Sequence, residues 1–267
     1  MLRLVLNMVL LLVMFPGVPS WGQAADATDL ATRITDHRDG KVWLSFASRD
    51  GVCGDGENYI STDGGQRHYF GCWSSDQERH DCQEGPVRLV LKVRDGQVVK
   101  IKTYVGGDWP PPAGNTLDLG EVPPQVAVEY LVDLARTGRR TAAENALFPA
   151  TLGRDVVVWP TLLELARDTS LAQDVREQAI FWLSQAASEK ATTGLQAIVD
   201  DDDEDLELRE HAIFALTQRG DQASIPVLSR IARTSQHPQL RESALFWLAQ
   251  SDDPRVLELF EEILLQD

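Results

Sequence analysis

Cysteine is scarce in this chain of 267 residues: Cys53, Cys72 and Cys82, all within thirty residues. No CxxC occurs, and the nearby His68 and His80 lack standard ligand spacing, which argues against zinc. Catalytic signatures are missing as well, with no GxSxG, no HExxH and no phosphate-binding loop. His37, His68, His80, His211 and His237 are scattered. Asp50, Asp55 and Asp63 with His68 invite an acid–base reading, but turns use Asp and Gly for backbone reasons. No catalytic residue, metal ligand or cofactor is therefore assigned. Cations are outnumbered, 25 Lys and Arg against 41 Asp and Glu, for a formal charge of −16. That balance disfavours nucleic acid and anionic membrane, which select basic patches, and it keeps a protein soluble. The longest apolar run, Leu4–Phe15, spans about 12 residues, where a membrane helix needs roughly 20.

What is present at the N-terminus has the order of a signal peptide. Arg3 precedes the apolar run, which only Asn7 interrupts. Pro16, Gly17 and Pro19 follow, then the small residues Gly22 and Ala24. Cleavage after Ala24 is expected, giving a periplasmic or secreted protein with no membrane insertion after processing. An uncleaved anchor is the alternative. No Cys sits near the cleavage site, which argues against a lipoprotein. Export predicts at least one disulfide. Spacing alone leaves all three pairings open, with the odd thiol buried or paired to another molecule.

From Ala25 to Asp108 the pattern is that of strands and turns. Residues 42–48 (VWLSFAS) alternate apolar and polar side chains, a Gly/Asp-rich loop follows at 49–58, and 66–73 (QRHYFGCW) has β-formers again. In 86–107, Val87, Leu89, Leu91 and Val93 alternate with other residues, Asp95–Gly96 marks a turn, and Val98–Tyr104 returns. Alternating strands around Asp-Gly predict a hairpin. Residues 109–124 (WPPPAGNTLDLGEVPP) read as a semi-rigid linker without regular structure, because Pro removes donors and fixes φ.

Beyond the linker the period changes from 2 to 3.6. AENALFPA (143–150), REQAIFWL (176–183), REHAIFAL (209–216) and RESALFWL (241–248) align, with starts 33, 33 and 32 residues apart. Val175, Ala179 and Leu183 repeat as Leu208, Ala212 and Leu216, then as Leu240, Ala244 and Leu248. Each set forms one apolar helical stripe. A second helix is expected after each: 159–168, 194–200, 225–234 and 256–265. Residues 126–137 look like an orphan second helix. Pro160 and Pro226 occupy matching places, expected in a first helical turn. Such units cover their apolar faces only by stacking.

At (V/L)RE-x-A-(I/L)-F-x-L the chain resembles the HEAT-repeat family, and more narrowly the phycocyanobilin-lyase-like HEAT repeats of bacteria. It is also similar to exported bacterial HEAT-repeat proteins that carry a small VCGDG-containing domain ahead of the array, on Gly51–Gly56 and Cys82–Arg88. That second resemblance implies a Cys53–Cys82 disulfide, with Cys72 spare. Chromophore attachment, which the lyase likeness would imply, belongs to a cytoplasmic pathway and conflicts with export. Pro149 departs from the pattern and is expected to break its helix.

Four features admit functional readings. Arg176, Arg209 and Arg241 recur once per repeat. They could bind an acidic ligand, but pairing with a carboxylate or carbonyl at a neighbouring helix end is favoured. Phe181, Phe214 and Phe246 are expected in the core. Trp182 and Trp247 are possible partner contacts, as aromatics are enriched at interfaces. The acidic run 200–207 is read as a solvated loop capping a helix rather than a calcium site.

The expected fold is α+β multidomain: a signal peptide (1–24), a β-rich disulfide-containing domain (25–108), a Pro-rich linker (109–122) and an all-α HEAT-type solenoid (123–267). The expected function is a non-enzymatic scaffold or adaptor binding a protein or peptide through the repeats. The alternative is an enzyme or inhibitor module in the β-domain, with the repeats as a positioning arm.

Overall fold

The computed structural model describes residues 26–56, 59–62, 82–109, 112–186, 189–218 and 221–265. The signal peptide, the strand expected at 66–73, and Asp63, His68, Cys72 and His80 lie outside the described residues.

The chain folds as a β-rich N-terminal region followed by a run of helices stacked as a HEAT-type solenoid. The first element among the described residues is a helix that the strand-and-turn reading does not contain, α1 (Ala27–Asp36). Asp26 caps it by accepting from the Asp29 N–H, and Leu30 and Ile34 are buried on its inner face. The i, i+4 spacing of Leu30 and Ile34 carries the helical signal.

Seven strands follow: β1 (Gly40–Phe46), β2 (Cys53–Gly56), β3 (Ile60–Ser61), β4 (Gln83–Glu84), β5 (Val87–Arg94), β6 (Gln97–Gly106) and β7 (Thr116–Glu121). They pair in the order β3-β2-β6-β5-β1-β7, with β4 beside β2. The β5–β6 hairpin turns at Asp95–Gly96, where both residues have positive φ, as an I′-type turn requires. Val87, Leu89, Leu91 and Val93 face the core beside Val42, Leu44 and Phe46 of β1. Cys53 and Cys82 form a disulfide across this sheet, Cα atoms 5.1 Å apart.

The linker expectation fails at β7, which pairs parallel to β1. Its prolines lie at 110–112 and 123–124, so Thr116–Glu121 keeps every backbone donor, and Leu119 is buried. The Asn115 carbonyl accepts from the Lys41 N–H at 2.9 Å and fixes the entry to the strand. Trp109 packs against the sheet, its ring centroid 4.3 Å from that of Trp43 and 5.5 Å from the Arg88 guanidinium.

The helices are α2 (Pro124–Thr137), α3 (Arg140–Ala150), α4 (Trp159–Arg167), α5 (Gln173–Ser184), α6 (Glu189–Val199), α7 (Leu206–Thr217), α8 (Asp221–Thr234), α9 (Pro238–Leu248) and α10 (Pro254–Leu265). They associate most closely as the hairpins α2–α3, α4–α5, α6–α7 and α8–α9. Residues 126–137 are therefore no orphan: α2 opens the first hairpin, and α10, resting on α8, is the one left over. The motif helices α3, α5, α7 and α9 form one layer, each against the next. Pro149 does not end α3, which runs one residue further; it sits buried in the last turn. Pro160 is in the first turn of α4, but Pro226 lies inside α8, which starts five residues earlier.

The two parts share one core. Helix α1 packs on α2, and α3 packs on β6. Ser48 bridges Gly153, while the Arg49 N–H donates to the Leu152 carbonyl (2.8 Å) and the Arg154 N–H to the Ala47 carbonyl (3.0 Å). The apolar cluster runs without a break from Leu30 through Leu131 to Leu259.

A candidate interaction surface on the motif helices

The recurring arginines are internal stitches. The Arg176 Nε donates to the Ala166 carbonyl at the end of α4 (2.9 Å), and the Arg209 Nε donates to the Val199 carbonyl at the end of α6 (2.9 Å). Each thereby satisfies a carbonyl that the helix end leaves without an intrahelical donor. The outer nitrogens of Arg176 pair with Asp205 (3.0 Å) and Glu204, ahead of α7. Those of Arg209 meet Asp202 (3.0 Å), in the α6–α7 loop, and the His237 ring (3.3 Å), ahead of α9. Arg241 has one such bond, to the Ser235 carbonyl (2.7 Å). Arg176 and Arg209 are almost fully buried, which is not the posture of a ligand ladder.

This stitching accounts for the acidic run as well. Asp200 is held by Arg230 through two 2.9 Å bonds, Asp201 lies 3.9 Å from Arg167, and Asp202, Glu204 and Asp205 serve Arg209 and Arg176. Asp205 is the N-cap residue of α7, yet its side chain makes no capping bond. The expected capping role gives way to an ion network that joins successive hairpins.

The phenylalanines are not core. Phe181, Phe214 and Phe246 are 40%, 37% and 57% exposed, and Phe148 is half-buried in the matching place on α3. They stand one per motif helix. A helical wheel carries the signal: at 100° per residue, Phe181 lies 200° from Ala179 of the apolar stripe. Four residues before each Phe, on the same face, stand Glu144, Glu177, Glu210 and Glu242. The layer thus shows solvent a row of rings beside a row of carboxylates.

Trp182 and Trp247 support the rings. Trp182 stacks on Phe148 of the preceding helix (4.9 Å) and meets Phe181 edge-on (4.9 Å). Trp247 lies tilted against Phe214 and meets Phe246 edge-on, both at 5.0 Å. Both indoles are half-buried, so they hold the row more than they present themselves.

A concavity of about 580 Å³ lies where β1 meets the α3–α4 loop, lined by Ser48, Arg49, Glu84, Glu121 and Arg154 among others. Three of its polar side chains serve the structure. Ser48 Oγ donates to the Gly85 carbonyl (2.8 Å), Arg49 to the Thr151 and Thr62 carbonyls, and Arg154 to the Ser48 carbonyl (3.1 Å). No His or Cys lines it among the described residues. Elsewhere, burial pushes the Tyr130 phenol well above its ordinary range, with Asp133 adding to the effect. The Ser170 hydroxyl and N–H hold Asp168 below the usual carboxylate range. Both serve helix α2 and the α4–α5 turn, away from the aromatic row.

Among the described residues no helix is long and apolar enough to cross a membrane. A family model of HEAT repeats matches residues 201–267, which cover α7 to α10. No curated protein matches the chain.

Proposed function

We propose that this chain is an exported, non-enzymatic adaptor that holds a protein or peptide partner across the solvent face of α3, α5, α7 and α9. HEAT repeats generally serve as protein-interaction scaffolds, and the observation that carries the reading here is the row of exposed Phe181, Phe214 and Phe246, continued by half-buried Phe148. Four rings in register on a rigid layer are an apolar patch of the kind that marks binding sites. The glutamate row beside it, on a chain of net charge −16, selects a partner bearing Lys or Arg next to its apolar residues. Packed helices lie about 8–10 Å apart. An extended segment rising about 3.3 Å per residue therefore meets a new ring every third residue.

Export is supported by the order of Arg3, Leu4–Phe15 and Gly22–Ala24 and by the Cys53–Cys82 disulfide. The same proposal includes kinship with the exported bacterial HEAT-repeat proteins that carry a VCGDG segment. The N-terminal β-rich region, through β7 at Glu121, then acts as a domain that caps the first hairpin, since an uncapped solenoid end exposes apolar surface.

The test is photo-crosslinking in the envelope of the source cell. The crosslinking residue is placed at Phe214, at exposed Ala197 on α6, and at Glu84 beside the 580 Å³ cleft. A defined adduct at Phe214 and none at the other two supports the adaptor reading. Adducts only at Glu84 would shift the function to an enzyme or inhibitor module in the N-terminal region.

A further inference from the structure

The junction between α5 and α7 differs from the junction before it in one charge. Between α3 and α5, Glu144 and Asp174 face each other, and the Arg140 guanidinium bridges them, 3.0 Å from Glu144 and in close contact with Asp174. One repeat later, 33 residues on, the same two places hold Glu177 and Glu207, while the place of Arg140 holds Gln173. Gln173 Nε2 donates to Glu177 at 2.9 Å but brings no charge. Among the described residues no Lys or Arg pairs with either carboxylate. His211 stands there instead, four residues after Glu207, with Nδ1 3.7 Å from Glu177. At the following junction the places of Glu207 and His211 hold Gln239 and Ser243, so the constellation occurs at one junction of the array.

We propose that Glu177, Glu207 and His211 bind one divalent transition-metal ion of the Zn²⁺ type, which takes the place that the Arg140 guanidinium fills one repeat earlier. One ligand atom from each residue lies within 4.8 Å of the other two. A tetrahedral ion with bonds of about 2.0–2.1 Å separates its ligands by roughly 3.3 Å. The His211–Glu177 pair is already near that separation, and exposed Glu207 reaches it by side-chain rotation. The imidazole selects among ions. Ca²⁺ wants six to eight oxygens, whereas two carboxylates and one imidazole suit Zn²⁺ or Mn²⁺. Water completes the shell on the open side. The ion clamps α5 to α7 and fixes the distance between the Phe181 and Phe214 rungs, and the site stands whether or not that face binds a partner.

The experiment uses the full mature chain carrying Cys72→Ser, stripped with chelator and titrated calorimetrically with Zn²⁺ alone, then Mn²⁺ and Ca²⁺. One saturable Zn²⁺ site with a rise in Tm is expected, and Ca²⁺ gives no comparable binding. His211→Ala weakens Zn²⁺ binding by more than the roughly 10–100-fold that loss of an outer-shell partner costs. Gln173→Arg, which copies the earlier junction, abolishes Zn²⁺ binding while keeping the apo-protein Tm at or above its starting value. Glu144→Gln leaves binding unchanged. Absence of a saturable site, or Zn²⁺ binding that survives both His211→Ala and Gln173→Arg, overturns the assignment.

Discussion

Replacing Arg176 by Met removes the guanidinium but keeps most of the apolar stem, and the structure sets its cost apart from the same change at Arg209 and Arg241. Arg176 is 3% exposed, and the Glu204 side chain it pairs with is 7% exposed. Deleting the cation strands that carboxylate in a buried place and leaves the Ala166 carbonyl without its donor. Breaking a buried pair in this way costs about 3–5 kcal/mol, a fall in Tm of roughly 6–20 °C for a domain of this size. Arg209→Met is milder. Its carboxylate partner Asp202 is 81% exposed and returns to water, so the loss is that of a buried hydrogen bond, about 1–3 kcal/mol. Arg241→Met removes one carbonyl bond at a half-buried site and costs about 0.5–1.5 kcal/mol. Urea and thermal unfolding of the three variants, followed by circular dichroism, give the order directly. Equal losses at all three positions would refute the stitching argument. So would unchanged stability with lost partner binding, since that is the signature of a ligand ladder.

Two further outcomes follow from the same geometry. Converting Cys53 and Cys82 to Ala opens a loop of 29 residues' separation and is expected to lower stability by about 3–4 kcal/mol, measured by urea unfolding against the oxidised protein. Asp253, ahead of α10, is held down to a pKa of about 2, first by the Arg255 side chain and then by the Arg255 N–H. A carboxyl depressed in the folded state stabilises above its unfolded value of about 3.9, and that contribution is lost as pH falls towards 2. Carbon-detected NMR titration should place the Asp253 midpoint near 2, and Arg255→Gln should move it upward. An Asp253 midpoint near 4 in the unsubstituted protein would contradict the pairing.

The helical half was legible because its information is local and repeated. A stripe such as Val175–Ala179–Leu183 states which side of a helix is buried, and the recurrence every 33 residues states that the units stack. The pairing of those helices was not legible. Periodicity is the same whether a motif helix joins the helix before it or the one after, and only packing shows that α2 belongs with α3. The β5–β6 hairpin could be read from Asp95–Gly96, while β7 could not, since its pairing to β1 is parallel and joins residues as far apart as Lys41 and Thr116. The prolines around it drew attention from Leu117 and Leu119, whose alternation was the available sign. At the candidate site the sequence singles out the tryptophans and assigns the phenylalanines inside, though Phe181 and Phe246 are the chain neighbours of Trp182 and Trp247. A residue's type suggested core, but its angle on the helix put Phe181, Phe214 and Phe246 outside. The acidic run reads as a capping loop for a related reason. Its partners, Arg167, Arg176, Arg209 and Arg230, come from four different helices, and only the fold brings them together.

The central claim is that the ring row binds the partner, and one affinity measurement tests it most directly. The partner identified by crosslinking at Phe214 is titrated against the unsubstituted chain, against Phe181→Ser/Phe214→Ser/Phe246→Ser, and against Leu257→Ser/Leu264→Ser on α10. The leucine pair is the control for exposed apolar area, at 68% and 76% exposed. Interface hot spots cost at least about 2 kcal/mol each, so the triple variant should bind at least about 100-fold more weakly at unchanged helix content, with the α10 variant binding normally. Full affinity in the triple variant, or a loss confined to the α10 variant, would contradict the account.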